Sequence, residues 1–156
     1  MEKTTEELVY DFIKAAVEAV SDAQHPLFGL EVHDHPFRKI RTNRGIRLNP
    51  PEGQLSPLED GLAMGEFNVR MIVVVYVRIE GTHKDDDDRT LAMRQVTDIS
   101  KALGLLFWDN PTFDEGFRDA RLYDFVRGYD SLNKADHFAV ANLTLLVNRI
   151  GQTIGG

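Results

Sequence analysis

Apolar residues recur at three- and four-residue spacing near the start of the chain, at Val9, Phe12, Ile13, Ala16, Val17 and Val20. That rhythm predicts an amphipathic helix with one buried stripe. Thr4 with Glu7 three residues later has the pattern of a capping box, and the early glutamates complement the helix dipole. Gln24-His25-Pro26 is expected to end the helix, because the residue before a proline is pushed out of the helical region.

The pattern then changes. Leu27, Phe28, Leu30 and Val32 suggest a short strand, with His33-Asp34-His35-Pro36 as its exit. Arg38 to Leu48 sets Ile40, Ile46 and Leu48 among Arg38, Lys39, Arg41, Arg44 and Arg47, the one basic stretch of the chain. Asn49 to Gly65 carries Pro50, Pro51, Gly53, Pro57, Gly61 and Gly65, a loop composition, and a loop of that length is usually functional or mobile. The clearest element follows. Phe67, Val69, Met71, Val73, Val75, Val77 and Ile79 alternate without a break. The opposite face reads Asn68, Arg70, Ile72, Val74, Tyr76, Arg78 and Glu80, polar at both ends and apolar in the middle. A strand buried throughout on one side and at its centre on both belongs in the middle of a sheet.

Gly81 to Asp88 reads as a turn that carries the run Asp85-Asp86-Asp87-Asp88, with Asp87 or Asp88 able to cap the helix that follows. Ala92, Val96, Ile99, Leu103 and Leu106 mark that helix, and Trp108-Asp109-Asn110-Pro111 is expected to close it. Arg118 to Arg127 alternates loosely, with Ala120, Leu122 and Val126 assigned to one side and Arg121, Tyr123 and Phe125 to the other. Gly128 to Lys134 reads as a hairpin connection to a last strand. That strand has Ala139, Ala141, Leu143, Leu145 and Val147 on a clean apolar face. The expected fold is α+β: a single mixed or antiparallel β-sheet with two main helices packed on one face, plus a long loop or hairpin extension. Residues 1–150 are expected to form one domain with the loop insertion at about 49–65, and residues 151–156 a flexible tail.

Composition narrows the function. The 156 residues include 42% apolar and 28% charged side chains, ordinary for a globular chain, and a net charge of −7. An acidic balance argues against a surface that grips nucleic acid by its phosphates, and does not exclude one that lets nucleic acid pass without sticking. The absence of cysteine removes disulfides, thiolate metal sites and Cys nucleophiles, and fits an intracellular protein. The N-terminal residues are too polar and acidic for a signal or transit peptide, and the longest apolar run, Met71 to Val77, is too short to span a bilayer.

Candidate chemistry is sparse. His33 and His35 would share a face of an extended strand, with His25 as a third ligand, but no acidic partner stands at ligand spacing, so exposed or capping histidines and no metal are expected. Ser21, Ser56, Ser100 and Ser131 lack a Gly-x-Ser-x-Gly setting, and no phosphate loop is present, so no catalytic residue and no cofactor is assigned. The run Asp85, Asp86, Asp87 and Asp88 does not fit a calcium loop. It reads either as a solvated turn with a helix cap or as a negative surface facing passing nucleic acid. Arg38, Lys39, Arg41, Arg44 and Arg47 read either as a charged edge strand that blocks unwanted pairing or as a docking surface for acidic patches. If they dock, reversing charge at Arg44 and Arg47 is expected to weaken assembly more than folding.

The arrangement across nearly the whole chain resembles the tail terminator (tail completion) proteins of long-tailed bacteriophages. The likeness rests on the helix Glu6–Val20, the short strand near Leu30 and the long loop Asn49–Gly65. It continues in the central strand Asn68–Val77, the helix Thr90–Leu106 and the closing hairpin that ends Ala141-Asn142-Leu143-Thr144-Leu145-Leu146-Val147. The resemblance implies a non-enzymatic virion protein at the head–tail junction, assembled in the host cytoplasm. It would form a homo-oligomeric, six-fold ring that caps the tail tube, ends its polymerisation and meets the head-completion or neck protein. DNA would pass through the ring without sequence-specific binding, and no membrane is involved. In such a ring the basic 38–47 stretch would face the acidic 85–88 loop of the next copy. Two other readings stand beside it: another head–tail connector, such as a neck or head-completion protein, and a small metal-binding enzyme that uses His33 and His35.

Overall fold

A computed structural model describes residues 5–33, 42–49, 66–79, 86–114, 117–130 and 137–150. They form two helices and five strands: α1 (Thr5–Glu18), β1 (Glu31–His33), β2 (Arg44–Leu48), β3 (Glu66–Arg78), α2 (Asp86–Asp109), β4 (Phe117–Asp130) and β5 (Phe138–Ile150). The strands make one mixed sheet in the order β1-β2-β3-β5-β4. β1 and β2 run parallel, and every other neighbouring pair is antiparallel. The fold is α+β, as the pattern of elements predicts.

β3 is the middle strand, paired with β2 on one side and along its whole length with β5 on the other, from Glu66 opposite Ile150 to Arg78 opposite Phe138. Its alternation works as expected. Val69, Met71, Val73, Val75 and Val77 join the main core, together with Ala139, Ala141, Leu143, Leu145 and Val147 of β5. On the opposite face Val74 and Tyr76 are buried, Ile72 is half-buried, and Arg70 and Arg78 at the two ends are exposed. Tyr76 forms a second apolar cluster there with Phe138 and Val140, its ring meeting Phe138 edge-on at 5.6 Å.

Both helices cover the first face. α1 presents Val9, Ile13 and Val17 to the core and lies beside β1, whereas α2 lies over β3, β5 and β4 with Ala92, Val96, Ile99, Leu103 and Phe107 inward. The helices meet through Phe12, which contacts Phe107 at 5.3 Å and stacks on Phe113 at 4.5 Å. Phe113 in turn packs on Phe117 at the start of β4. Ser100 is buried mid-helix with its hydroxyl satisfied, donating to the Val96 carbonyl at 2.8 Å. No helix among the described residues is long and apolar enough to cross a membrane.

Five local expectations are corrected. α1 ends at Glu18, not at Gln24, because Asp22 and His25 build turns instead: Asp22 Oδ1 accepts from the Gln24 amide, and His25 Nδ1 from the Leu27 amide. Leu27 is buried from a turn rather than a strand, and Gly29 at φ +70° reverses the chain before β1 begins at Glu31. α2 already starts at Asp86, so Asp87 and Asp88 lie in its first turn, where they favour the dipole, and neither is the cap. In β4 the register slips between Tyr123 and Phe125, a bulge that swaps the faces. Val126 therefore leaves the side of Ala120 and stands 67% exposed opposite Asn142. Gly128 to Asp130, expected in the hairpin connection, instead continue β4, while residues 131–136, the loop residues 50–65 and the tail 151–156 lie outside the described residues.

Phe107 and Trp108 are neighbours in sequence with opposite environments, 0% and 68% exposed. Thermal or denaturant unfolding is expected to show a loss of about 3–5 kcal/mol for Phe107→Ala and less than about 1 kcal/mol for Trp108→Ala.

Candidate functional site

Alternation along β2 divides the basic stretch. Ile46 and Leu48 point into the helix-side core, and Arg44 shares their face; Gly45 and Arg47 lie on the other. Arg44 is half-buried, and its guanidinium donates to the Pro26 carbonyl at 2.8 Å, tying the turn after α1 to the sheet. Arg47 is also half-buried, beside the Tyr76 phenol. The two do not form one exposed strip. Nor is β2 an edge strand, since it is paired on both sides by β1 and β3. Arg38, Lys39 and Arg41 lie outside the described residues.

The acidic run is divided as well. Asp85 lies outside the described residues, Asp86 opens α2, Asp87 is exposed, and Asp88 is half-buried. Asp88 lines a cleft of about 180 Å³ together with Asn43, Arg44, Arg78, Leu91 and Gln95. Thus Arg44 and Asp88, expected on complementary surfaces of two copies, line one cleft within a single chain.

What sequence reading missed is a polar cluster on the sheet face opposite the helices. β1 brings Glu31 and His33 to that face, and the parallel register sets them beside Gly45 and Arg47. His33 is fully buried, and its Nε2 shares a 2.7 Å hydrogen bond with the Tyr76 hydroxyl; the Glu31 carboxylate lies 3.5 Å from Nδ1. Thr42 Oγ1 is 3.1 Å from the same hydroxyl. Gly45 makes the arrangement possible. A Cβ there would collide with Tyr76 Oη and stand 2.6 Å from Cζ and 2.7 Å from the Glu31 carbonyl oxygen. Only a residue without a side chain lets the phenol cross β2 to reach β1.

The electrostatics favour an uncharged phenol. Burial pushes Tyr76 up to about 12; the Thr42 hydrogen bond opposes this, the Glu31 carboxylate adds to it, and Arg47 opposes it. Near neutrality such a phenol stays protonated, and its hydrogen bonds with His33 and Thr42 tie β1 and the residues before β2 to β3. The histidine expectation is divided by this result. His33 is a core residue, not exposed; His25 is exposed and caps a turn, as expected; His35 lies outside the described residues. Among the described residues no three His, Asp or Glu side chains gather as a metal site.

A second feature lies along the outer edge of the sheet. Tyr129 of β4 stacks under the Arg89 guanidinium of α2 at 4.4 Å, and Arg127 donates to Thr97 Oγ1 at 3.0 Å. Arg121 starts from the far face, yet reaches round the sheet edge to lie 5.7 Å over the Trp108 ring. Trp108, Leu105 and Tyr129 are 68%, 62% and 45% exposed. Gly104, Trp108, Arg121 and Leu122 border a hollow of about 390 Å³. The exposed Trp108 follows the buried Phe107 in the sequence, and that adjacency was the one signal that α2 has an apolar outer side. Comparison with known proteins finds no match, neither to a protein family nor to a curated protein.

Gly45→Ala is expected to cost about 1–3 kcal/mol in chemical denaturation, because the Tyr76 ring must move. The raised phenol also sets a pH dependence. Tyr76 rises from its ordinary 10.0 to about 12 on folding, so its protonated form stabilises the fold fully below pH 10 and progressively less as pH climbs towards 12. Ultraviolet titration of the four tyrosines should show one phenolate forming near 12, a step absent from Tyr76→Phe.

Proposed function

We propose that this protein is a structural subunit of a bacteriophage-type tail terminator ring, which caps the tail tube and joins it to the head or neck while DNA passes through. The observation that carries the reading is the order of elements, α1-β1-β2-β3-α2-β4-β5, folded into one mixed sheet with both helices on one face. This is the arrangement on which the sequence resemblance rests. Two further features support a role in assembly over one in bond-making. The most chemically capable groups, His33 and Tyr76, are engaged with each other and fully buried. Large apolar side chains, Leu91, Leu105, Trp108 and Val126, are instead more than half exposed on the outside, and Trp in particular is enriched where proteins bind one another.

The net charge of −7 suits a channel lining past which DNA moves, because like charges keep the duplex from adhering. Repulsion of this kind acts over about 8–10 Å at physiological salt.

Six copies of the 17.7 kDa chain should assemble to about 106 kDa by light scattering, alone or on the end of purified tail tubes. Electron microscopy of the assembled particle is the direct test. Density for this chain at the head-proximal end of the tube supports the reading, and density anywhere else overturns it. Capture by portal or adaptor protein with no capture by tube protein would favour the neck reading instead.

A further inference from the structure

α2 buries one side and leaves the other bare. Ala92, Val96, Ile99, Leu103 and Phe107 belong to the core, whereas Leu91, Arg94, Asp98, Lys101, Leu105 and Trp108 are all exposed. Their spacing alternates between three and four residues, so they make one continuous stripe, about 26 Å long at the rise of an α-helix. The stripe is apolar towards its ends and charged at its centre. Among the described residues the side chains of Arg94, Asp98 and Lys101 have no ion pair or hydrogen bond. Gly104 is a second, independent feature. It stands in the interior of α2, where glycine costs helix stability, yet a Cβ there would meet no atom within 4 Å. Packing inside the chain therefore does not call for a glycine. Gly104 instead borders, with Trp108, Arg121 and Leu122, the hollow of about 390 Å³, and a missing side chain fits a place where another backbone comes close.

We propose that α2 pairs with α2 of a second copy, antiparallel, about a two-fold axis that passes between Asp98 and Lys101. In that register Asp98 stands opposite Lys101 of the second copy, and the same pair recurs across the axis. Leu91 stands opposite Trp108. Arg94 stands opposite Leu105, where its stem lies on apolar surface and its guanidinium comes within reach of the Trp108 indole. The complementarity is one of position, not of net charge. A parallel pairing would set Asp98 on Asp98 and Lys101 on Lys101, and would also align the two helix dipoles. Apolar and charged positions that alternate by three and four residues suit helices crossing at about 20°. Acidic side chains at the ends, Asp87 and Asp109, come near one another between the copies and hold the affinity down, so the pairing is reversible. The inference goes beyond the ring reading and does not rest on it. A two-fold contact is isologous and closes at two copies, whereas a ring needs heterologous contacts.

Sedimentation of the full-length protein over a concentration series should show a monomer of 17.7 kDa in equilibrium with a dimer of about 35 kDa. Asp98→Lys and Lys101→Asp lie at exposed sites, so circular dichroism and melting temperature should match wild type. Each variant alone is expected to need at least about tenfold more protein than wild type for half-dimerisation. An equimolar mixture of the two should dimerise as wild type does, because the basic centre of one then meets the acidic centre of the other. The double variant D98K/K101D should recover by itself, since the register pairs each position with the other. Trp108→Ala should weaken the dimer without changing any charge. Gly104→Gln should weaken it while raising the melting temperature of the dilute monomer, because glutamine favours helix and finds open space within the chain.

Absence of a dimer at every concentration would overturn the pairing. So would a dimer unmoved by either charge reversal, by Trp108→Ala or by Gly104→Gln, or one lost in the reversals without recovery in the mixture and the double variant. Each of these results leaves ring formation on tube ends as a separate measurement. Failure of rings to form there while this dimer persists would overturn the ring reading and support the pairing.

Discussion

Burial of β3 on both of its faces is the constraint from which the rest of the architecture follows. A strand that hides Val73 and Val75 on one side and Val74 and Tyr76 on the other cannot lie at an edge, so its amides and carbonyls must find partners along both flanks. β5 satisfies one flank over the full length of the strand, and β2 satisfies the part nearest the Tyr76 end. Tyr76 adds a polar atom to an apolar interior, and an unpartnered hydroxyl there would be costly. His33 and Thr42 remove that cost, and in doing so they anchor β1, the shortest strand, to a sheet it joins through only three residue pairs. Gly45 is the concession β2 makes so that this reach is open.

The legible parts of the sequence were those governed by a repeating period. Alternation from Val69 to Val77 marks β3, its two-sided burial and its central place, while the spacing of Ala92, Val96, Ile99 and Leu103 marks α2 and its inward side. Errors arose where a single residue broke the period. The bulge between Tyr123 and Phe125 moves Val126 from core to solvent, and nothing in the local composition announces it. Turn-forming side chains of Asp22 and His25 stop α1 well before the proline that looked like its end. The polar cluster was illegible for a different reason. His33 and Tyr76 are 43 positions apart, and only the parallel pairing of β1 with β2 brings them onto one face.

The charged segments teach a related lesson. Arg44 and Arg47 look like one basic strip in the sequence, but the pleat sends them to opposite faces, where one fastens a turn and the other stands beside a phenol. Arg89, Arg121 and Arg127 are dispersed in the sequence, and their contacts with Tyr129, Trp108 and Thr97 form only because β4 lies along α2. Surfaces assembled from two elements in this way are invisible to any reading of charge runs, and the same holds for the aromatic rings beneath them.

The slip in β4 has a further consequence. Among the described residues β4 is the outermost strand, and 14 residues would ordinarily offer a straight ladder of backbone groups on which a stray strand could grow. Two register shifts, between Phe117 and Asp119 and between Tyr123 and Phe125, break that ladder into shorter runs. Backbone recognition is indiscriminate, whereas side-chain recognition is selective. Breaking the register along this strand therefore disfavours strand-by-strand fibrous growth, and leaves contact with other molecules to side chains that can tell one surface from another.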